Sequence, residues 1–337
     1  MKMLKSLLLV LVTLLLCTGC GDSFNRTVML VTQSPAFNDN GYNYGLWSGV
    51  QHFALQTKVL TLANPDKKPL LDVVTAAVKQ KPGLLFVSAD ADSNPELEPL
   101  VKQHPEIMFV MLDKSAAFDL PNYLPVWIKS NEGAFLAGYL AGRMTTTDKV
   151  GFIGGIEATS IDRFKYGFMG GVAYAGRETG RNISVINRTA GTFDDQEKGA
   201  ELAADMYNSG CDIIFTAAGE TGLGAFQEAA QKNKYVIGVD RDQQELAPEH
   251  VLCSVLSDYT VLIRAIGDMY LKGERVRPLD NTGLKIGATG LALNQRLVPY
   301  NVVREVNKMK AAVNAGLQVP NSEHSYKLFV AALPVQP

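Results

Sequence analysis

The sequence predicts an α/β protein of two doubly wound lobes, each a parallel sheet with helices on both faces. Three observations carry that expectation. Short β-branched runs alternate with longer amphipathic segments almost without a break from Thr27 to Val239. The alternation restarts at Val150, so the pattern is run twice. A chain of 337 residues with 47% hydrophobic composition also has enough apolar side chains for two cores. No repeat at the level of sequence links the two rounds.

The elements follow in order. Thr27 to Thr32 reads as a buried strand, Tyr44 to Leu55 as a helix and Lys58 to Leu62 as a strand. Pro69 to Gln80 reads as a helix with Leu71, Val74, Ala77 and Val78 on its apolar face. Gly83 to Val87 is a strand, Asn94 to Gln103 a helix opened by proline and acids, and Ile107 to Leu112 a strand. Val126 to Ile128 reads as a short strand and Glu132 to Met144 as an amphipathic helix. The second round has strands at Val150 to Ile153, Ser184 to Asn187, Ile213 to Ala217 and Val236 to Val239. Its helices are Arg163 to Glu178, Gln196 to Ser209 and Ala225 to Asn233.

The N-terminus is a separate object. Lys2 and Lys5 precede the apolar run Leu7 to Leu16, which is too short for the ~20 residues that span a bilayer. Cys17-Thr18-Gly19-Cys20 follows. A positive start, a short apolar run and small residues make a secretory signal over 1–19. Small residues ending in a cysteine look like a bacterial lipobox with Cys20 as the lipid acceptor, which would anchor the mature protein in the cell envelope. Cys17 departs mildly from the Leu usual at its position, and Gly21 is not the Asp that commonly retains lipoproteins in the inner membrane. Cys211 and Cys253 lie in apolar runs and read as buried free thiols, with no disulfide framework and no zinc-ligand spacing. Lys plus Arg (32) nearly balance Asp plus Glu (34), which argues against a bulk electrostatic grip on nucleic acid.

Polar residues gather where strands end. Asn38 and Asp39 follow the first strand, Asp90 follows Phe86-Val87, and Asp113 closes Phe109 to Leu112. In the second round Gly154-Gly155, Gly219 and Asp240 hold the corresponding places. In open parallel sheets ligands bind beyond the carboxyl ends of strands, so a cleft between facing lobes is expected. Phe37-Asn-Asp-Asn-Gly-Tyr-Asn43 is the densest such turn, offering an aromatic surface with amides and a carboxylate. Taken alone, it reads first as a capped turn, and the rest of the chain reverses that order. Gly219-Glu220-Thr221-Gly222-Leu223-Gly224 follows a strand and opens a helix but has neither the Walker A Lys-Ser/Thr nor G-x-G-x-x-G spacing. It reads as a tight turn that lets backbone approach a ligand. No G-x-S-x-G elbow is present, and the acid pairs Asp194-Asp195 and Asp240/Asp242 suit capping or solvation. No enzymatic activity and no cofactor are expected. Trp47, Phe53, Phe135, Phe164 and Phe168 fall at helical spacing and read as core, whereas Tyr42 and Phe193 are large rings among turn residues.

Several segments together resemble the basic membrane protein family of bacterial lipoproteins, also called PnrA-like purine nucleoside receptors. They are Phe37 to Gly49, Glu132 to Gly138, Val150 to Gly155, Phe164 to Gly171, Phe193 to Gly199, Ala218 to Gly224 and Ile237 to Gln243. The resemblance runs from about Val28 to about Val319. It implies a type I periplasmic-binding fold, with lobes joined by hinge crossings and closing on a purine nucleoside. The first lobe would comprise 20–129 plus about 254–297, and the second 130–253 plus about 298–337. Partners would be the permease and ATPase of an ABC transporter, and the receptor itself a monomer.

Carried over by position, Tyr42 and Phe193 would stack on the base. Asn43 and Asp113 would meet its edge, with Asp39 heading the same loop. Gly219 and its neighbours would let backbone approach the sugar, and Asp240 would accept the ribose hydroxyls. One departure stands out: where the family usually has a Lys three residues beyond a Ser, Ser254-Val255-Leu256 leads here to Ser257. Three readings stay open: Ser257 makes a weaker neutral bond, another cation such as Arg163 substitutes, or the ligand is not a standard ribonucleoside. The rival function is a ligand-binding sensor or regulator that kept the fold without a transporter.

Overall fold

The computed structural model describes residues 25–37, 41–89, 94–114 and 116–333. The leader with Cys20, and the turn residues Asn38, Asp39 and Asp90, lie outside the described residues.

The first sheet contains β1 (Val28–Thr32), β2 (Val59–Leu62), β3 (Leu84–Ser88), β4 (Met108–Leu112) and β5 (Tyr123–Val126), in the order β2-β1-β3-β4-β5. All its pairings are parallel. Such strands are buried on both faces, which is why they read as continuous apolar runs rather than as alternation. Residues nonetheless sort with period two. Val28, Leu30, Leu84 and Phe86 face one core, and Met29, Val31, Leu85 and Val87 face the other. The first core is covered by α1 (Tyr42–Gln51), the second by α2 (Leu70–Val78) and α3 (Glu98–Gln103). On α2 the buried stripe is Leu70, Val73, Val74, Ala77 and Val78. Leu71, expected on that face, is 37% exposed, because the helix begins at Leu70 and Leu70 takes the inward position.

The chain then crosses into a second lobe through α4 (Ser130–Met144). Its strands are β6 (Lys149–Gly154), β7 (Ser184–Thr189), β8 (Ile213–Ala217), β9 (Tyr235–Asp240), β10 (Val251–Ser257) and β11 (Thr289–Leu293), in the order β11-β10-β9-β8-β6-β7. Only β11 is antiparallel to its neighbour. Helices α5 (Thr159–Thr179), α6 (Gln196–Asn208) and α7 (Leu223–Gln231) connect the parallel strands. Close approach of α4 and α5 explains Gly138, Gly167 and Gly171, while Gly133 faces Thr289 and Val255 and Gly170 faces Pro320. A Cβ at Gly138 would run into the Phe168 carbonyl, and one at Gly171 into the Phe135 carbonyl. This resemblance-bearing pair of segments is therefore a packing seam.

From β10 the chain returns to the first lobe as α8 (Tyr259–Leu271), whose Leu262, Ile263 and Ile266 join the core of Val28 and Leu30. It crosses back at β11 and ends in α9 (Tyr300–Asn314) and α10 (Glu323–Ala332). Segment 254–297 is thus divided: its ends lie in strands of the second sheet and its helix packs on the first lobe. The crossings are tied together where they meet. Asp258 N–H donates to the Ala288 carbonyl at 2.8 Å, Lys129 N–H to the Thr282 carbonyl at 2.9 Å, and Leu284 N–H to Glu132 Oε2 at 2.8 Å.

Boundaries shift in places for local reasons. The first helix starts at Tyr42 and stops at Gln51, short of Leu55, as the chain turns through 52–56. The strand expected at Val126 to Ile128 is Tyr123–Val126; Pro125 is tolerated because β5 is an edge strand. Phe53, Phe135, Phe164 and Phe168 are buried as expected, Trp47 packs on the core while half-buried, and Cys211 and Cys253 are buried free thiols.

Candidate functional site

The strand ends of both lobes converge on one polar and aromatic cluster. In the first lobe β4 delivers Asp113, whose backbone is left-handed (φ 61°) and whose N–H donates to the Val126 carbonyl at 2.6 Å. In the second lobe α5 delivers Arg163, which is 7% exposed. Its Nη2 donates to Asp113 Oδ1, so a largely enclosed ion pair joins the lobes. Arg163 Nε is buried and has no partner.

Two tyrosines enclose this pair. Tyr42 opens α1 and Tyr259 opens α8, and their rings meet edge to face with centroids 5.1 Å apart at 88°. The Ser88 hydroxyl donates to the Tyr42 hydroxyl oxygen at 3.3 Å. Burial pushes the Tyr42 phenol far above its ordinary range; the Asp113 and Asp240 carboxylates push it further, while the Ser88 bond and Arg163 oppose them. Burial does the same to Tyr259, aided by the neighbouring Asp113 carboxylate. Tyr42, Tyr259, Asp113, Arg163 and Asp240 therefore share one electrostatic neighbourhood. The Tyr42 hydroxyl thus has a defined use here, as partner to Ser88.

Asn43 is the next residue on α1, and its Oδ1 accepts the Thr32 hydroxyl at 2.7 Å, which ties it to the end of β1. Asp240 ends β9, half-buried and again left-handed (φ 68°). Phe193 lies between β7 and α6, with its ring filling the space a Gly155 side chain would need. Its carbonyl accepts Thr221 N–H at 3.1 Å, and Gly219 (φ +57°) packs against its backbone and Cβ. Gly155, Phe193 and Gly219 thus form one unit of the second lobe. The other glycines of Ala218 to Gly224 serve packing: side chains at Gly222 and Gly224 would collide with Thr216 and with the start of α6. Beside this unit, Lys67 of the first lobe reaches Asp194 of the second at 3.3 Å. Asp195 caps α6, accepting Lys198 N–H at 2.9 Å, as the capping reading of the acid pair expects.

Ser257 closes β10, paired in register with Thr289 of β11. The hydroxyl oxygens of both are buried without partners, at the point where the chain passes between lobes. Tyr259 is the contributor that sequence reasoning missed. It carries the same signature as Tyr42, an aromatic at a strand-to-helix turn, with Asp258 accepting Thr260 N–H at 3.0 Å as helix cap. A separate groove of about 460 Å³ beside β5, lined by Phe118, Tyr123, Leu124, Arg275 and Val276, contains none of these residues.

The comparisons bear on what a two-lobed α/β scaffold with such a cluster at opposed strand ends does. A family model for PnrA-like substrate-binding proteins of ABC transporters matches residues 26–323. The chain belongs to this family. Basic membrane protein A2 of Borrelia garinii subsp. bavariensis is 30% identical over 98% of this chain and 99% of that protein. Among solved structures, a solute-binding protein of an ABC transporter system from Aeropyrum pernix K1 superimposes with TM-score 0.77 at 20% identity, covering 91% of this chain and 97% of its own. A periplasmic solute-binding protein from Actinobacillus succinogenes 130Z with bound D-allose gives 0.62 at 14% identity, covering 80% and 98%. Both show the shared type I periplasmic-binding fold. As a PnrA-like protein, this chain is the substrate-binding component of an ABC transporter.

Proposed function

We propose that this receptor captures a purine nucleoside between its lobes and passes it to a permease and ATPase, held at the membrane by lipid on Cys20. The observation that carries the reading is the lobe-spanning cluster of Tyr42, Tyr259, Asp113 and Arg163, with Asp240 in the same field. Tyr42 and Phe193 supply ring surfaces for the base, and stacking of this kind contributes ~1–3 kcal/mol per ring. Asn43 and Asp113 address the base edge, with Asp39 heading the same loop in the sequence. Asp240 accepts the ribose hydroxyls, backbone around Gly219 approaches the sugar, and Ser257 offers its unpartnered hydroxyl where relatives carry Lys. Closure turns on the crossings near 127–129, 258 and 288, where the tying hydrogen bonds lie. We take the first lobe to include α8 and the second to include β10 and β11.

Thermal unfolding of the body beginning after Cys20, stripped of carried ligand by unfolding and refolding, tests this. Guanosine, inosine or adenosine at a hundred times Kd is expected to add ~2.7 kcal/mol, with no shift from cytidine or ribose. No shift with any purine nucleoside, from protein that refolds cooperatively, would remove the nucleoside reading.

A further inference from the structure

We infer that Arg163 is a specificity-determining residue that reads an oxygen on the base, so that the receptor prefers 6-oxopurine nucleosides to 6-aminopurine ones. The inference rests on the proposed nucleoside site and deepens it.

Arg163 is 7% exposed and its guanidinium is only partly satisfied: Nη2 donates to Asp113, while Nε is enclosed without an acceptor. A buried donor on a charged group is costly to leave unmade. Its place in the cluster defines what could complete it. Asp113 lies at the end of the first lobe's β4, and Tyr42 and Tyr259 border the same carboxylate. A ligand ring edge entering beside Asp113 therefore meets two unlike groups at once. The carboxylate only accepts hydrogen bonds and the guanidinium only donates them. Hypoxanthine and guanine offer the complement on adjacent atoms, an N1–H donor for Asp113 and an O6 acceptor for Arg163. Adenine reverses both, with an N1 acceptor facing the carboxylate and an amino group facing the guanidinium. Sites built to hydrogen-bond a particular polar group reject its mismatch strongly, because their own buried groups are then left unpaired.

The rival role for this cation is the ribose, as a stand-in for the Lys that Ser257 replaces. The two roles separate in one experiment. Isothermal titration of the soluble body with inosine, adenosine and purine riboside, which lacks any 6-substituent, is run on the native protein, R163K and R163Q. The expected result is native affinity at least about 10-fold higher for inosine than for adenosine, consistent with a charge-assisted bond. R163Q is expected to lose about 10- to 100-fold on inosine while changing purine riboside little. R163K, which keeps the charge beside Asp113 but lacks the forked donor, retains the fold and falls between them. Equal native affinity for inosine and adenosine overturns the assignment while leaving the nucleoside site intact. So does a uniform loss on all three ligands in R163Q, which would place the cation on the ribose. Failure of the native protein to bind any of them overturns the nucleoside reading and this inference with it.

Discussion

The two lobes repeat one backbone plan and fill it with different chemistry. The first sheet runs β2-β1-β3-β4-β5; the second, setting aside its antiparallel edge β11, runs β7-β6-β8-β9-β10. In each the fourth strand in sequence ends at an aspartate in left-handed conformation, Asp113 at φ 61° and Asp240 at φ 68°. Only a few per cent of non-glycine residues adopt that conformation, and aspartate is among those that do so most readily. The same backbone corner thus presents a carboxylate from each lobe, and the surroundings make the two unlike. Asp113 is paired with Arg163 of the opposite lobe beside Tyr259. Asp240, half-buried like Asp113, ends its strand in the field of Tyr42. A duplicated scaffold supplies paired positions, and the residues set against them divide the work.

The cores differ as well, and there the largest effects are expected. Phe86 and Phe215 occupy the third position of the equivalent strands β3 and β8, and both are fully buried. Phe86 packs among aliphatic side chains such as Val28, Leu30 and Val110. Phe215 stands in an aromatic cluster, with ring centroids 5.5 Å from Phe152, 5.3 Å from Phe168 and 6.1 Å from Phe164. Replacing either by Ala is expected to cost ~3–5 kcal/mol in urea denaturation. The aromatic pairs add ~0.5–1.5 kcal/mol beyond area burial, so Phe215→Ala should be the worse of the two. Equal losses would mean that the cluster's geometry adds nothing to its volume.

Next in size comes the division of labour at the site. Asp240→Ala is expected to weaken purine nucleosides by ~1.5–3 kcal/mol in calorimetric titration, the range of a hydrogen bond to a charged group, and to leave free bases nearly unaffected. Equal loss for both ligand classes would take Asp240 off the ribose. Tyr42→Ala is expected to weaken nucleosides and bases alike by ~1–3 kcal/mol. Tyr42→Phe keeps the ring and removes only the bond with Ser88, so its effect should stay below ~1 kcal/mol. A Phe variant as damaged as the Ala variant would assign the affinity to the hydroxyl instead of the ring.

Much of this was legible in the sequence because parallel strands buried on both faces leave unmistakable apolar runs, and their carboxyl ends point to the ligand side. Asp113 and Asp240 stand out in that way, and both do stand at strand ends. Tyr259 escapes because the sequence reading assigns no strand or helix on either side of it, so no strand-to-helix turn is marked there. Arg163 was weighed only as a stand-in for a missing Lys. Its pairing with Asp113 joins residues 50 positions apart in different lobes, which no local pattern encodes. The glycines of Glu132 to Gly138 and Phe164 to Gly171 carry the family likeness, yet they report close packing, with Gly138, Gly167 and Gly171 at the helix contact. Sequence likeness alone does not distinguish a packing seam from a binding loop.

The smallest expected effect lies at the edge of the comparison, where Lys67 and Asp194 join the loops that follow the second strand of each lobe. The two approach to 3.3 Å with side chains 75% and 63% exposed, so the pair is worth at most ~1 kcal/mol and should weaken with salt. Its effect can be isolated by pH. The Thr192 hydroxyl, followed by Lys67, holds the Asp194 carboxyl below its ordinary value. A depressed carboxylate contributes fully above its unperturbed pKa, near 4, and its contribution fades as pH falls through the lowered value. Lys67→Ala should therefore shift ligand affinity two- to fivefold at pH 7 and low salt, with the difference shrinking below pH 4 and in 0.5 M salt. A difference that persists under both conditions would mean that Lys67 acts on closure through its backbone, which is left-handed at φ 50°, and that the charge pair joining the lobes is incidental.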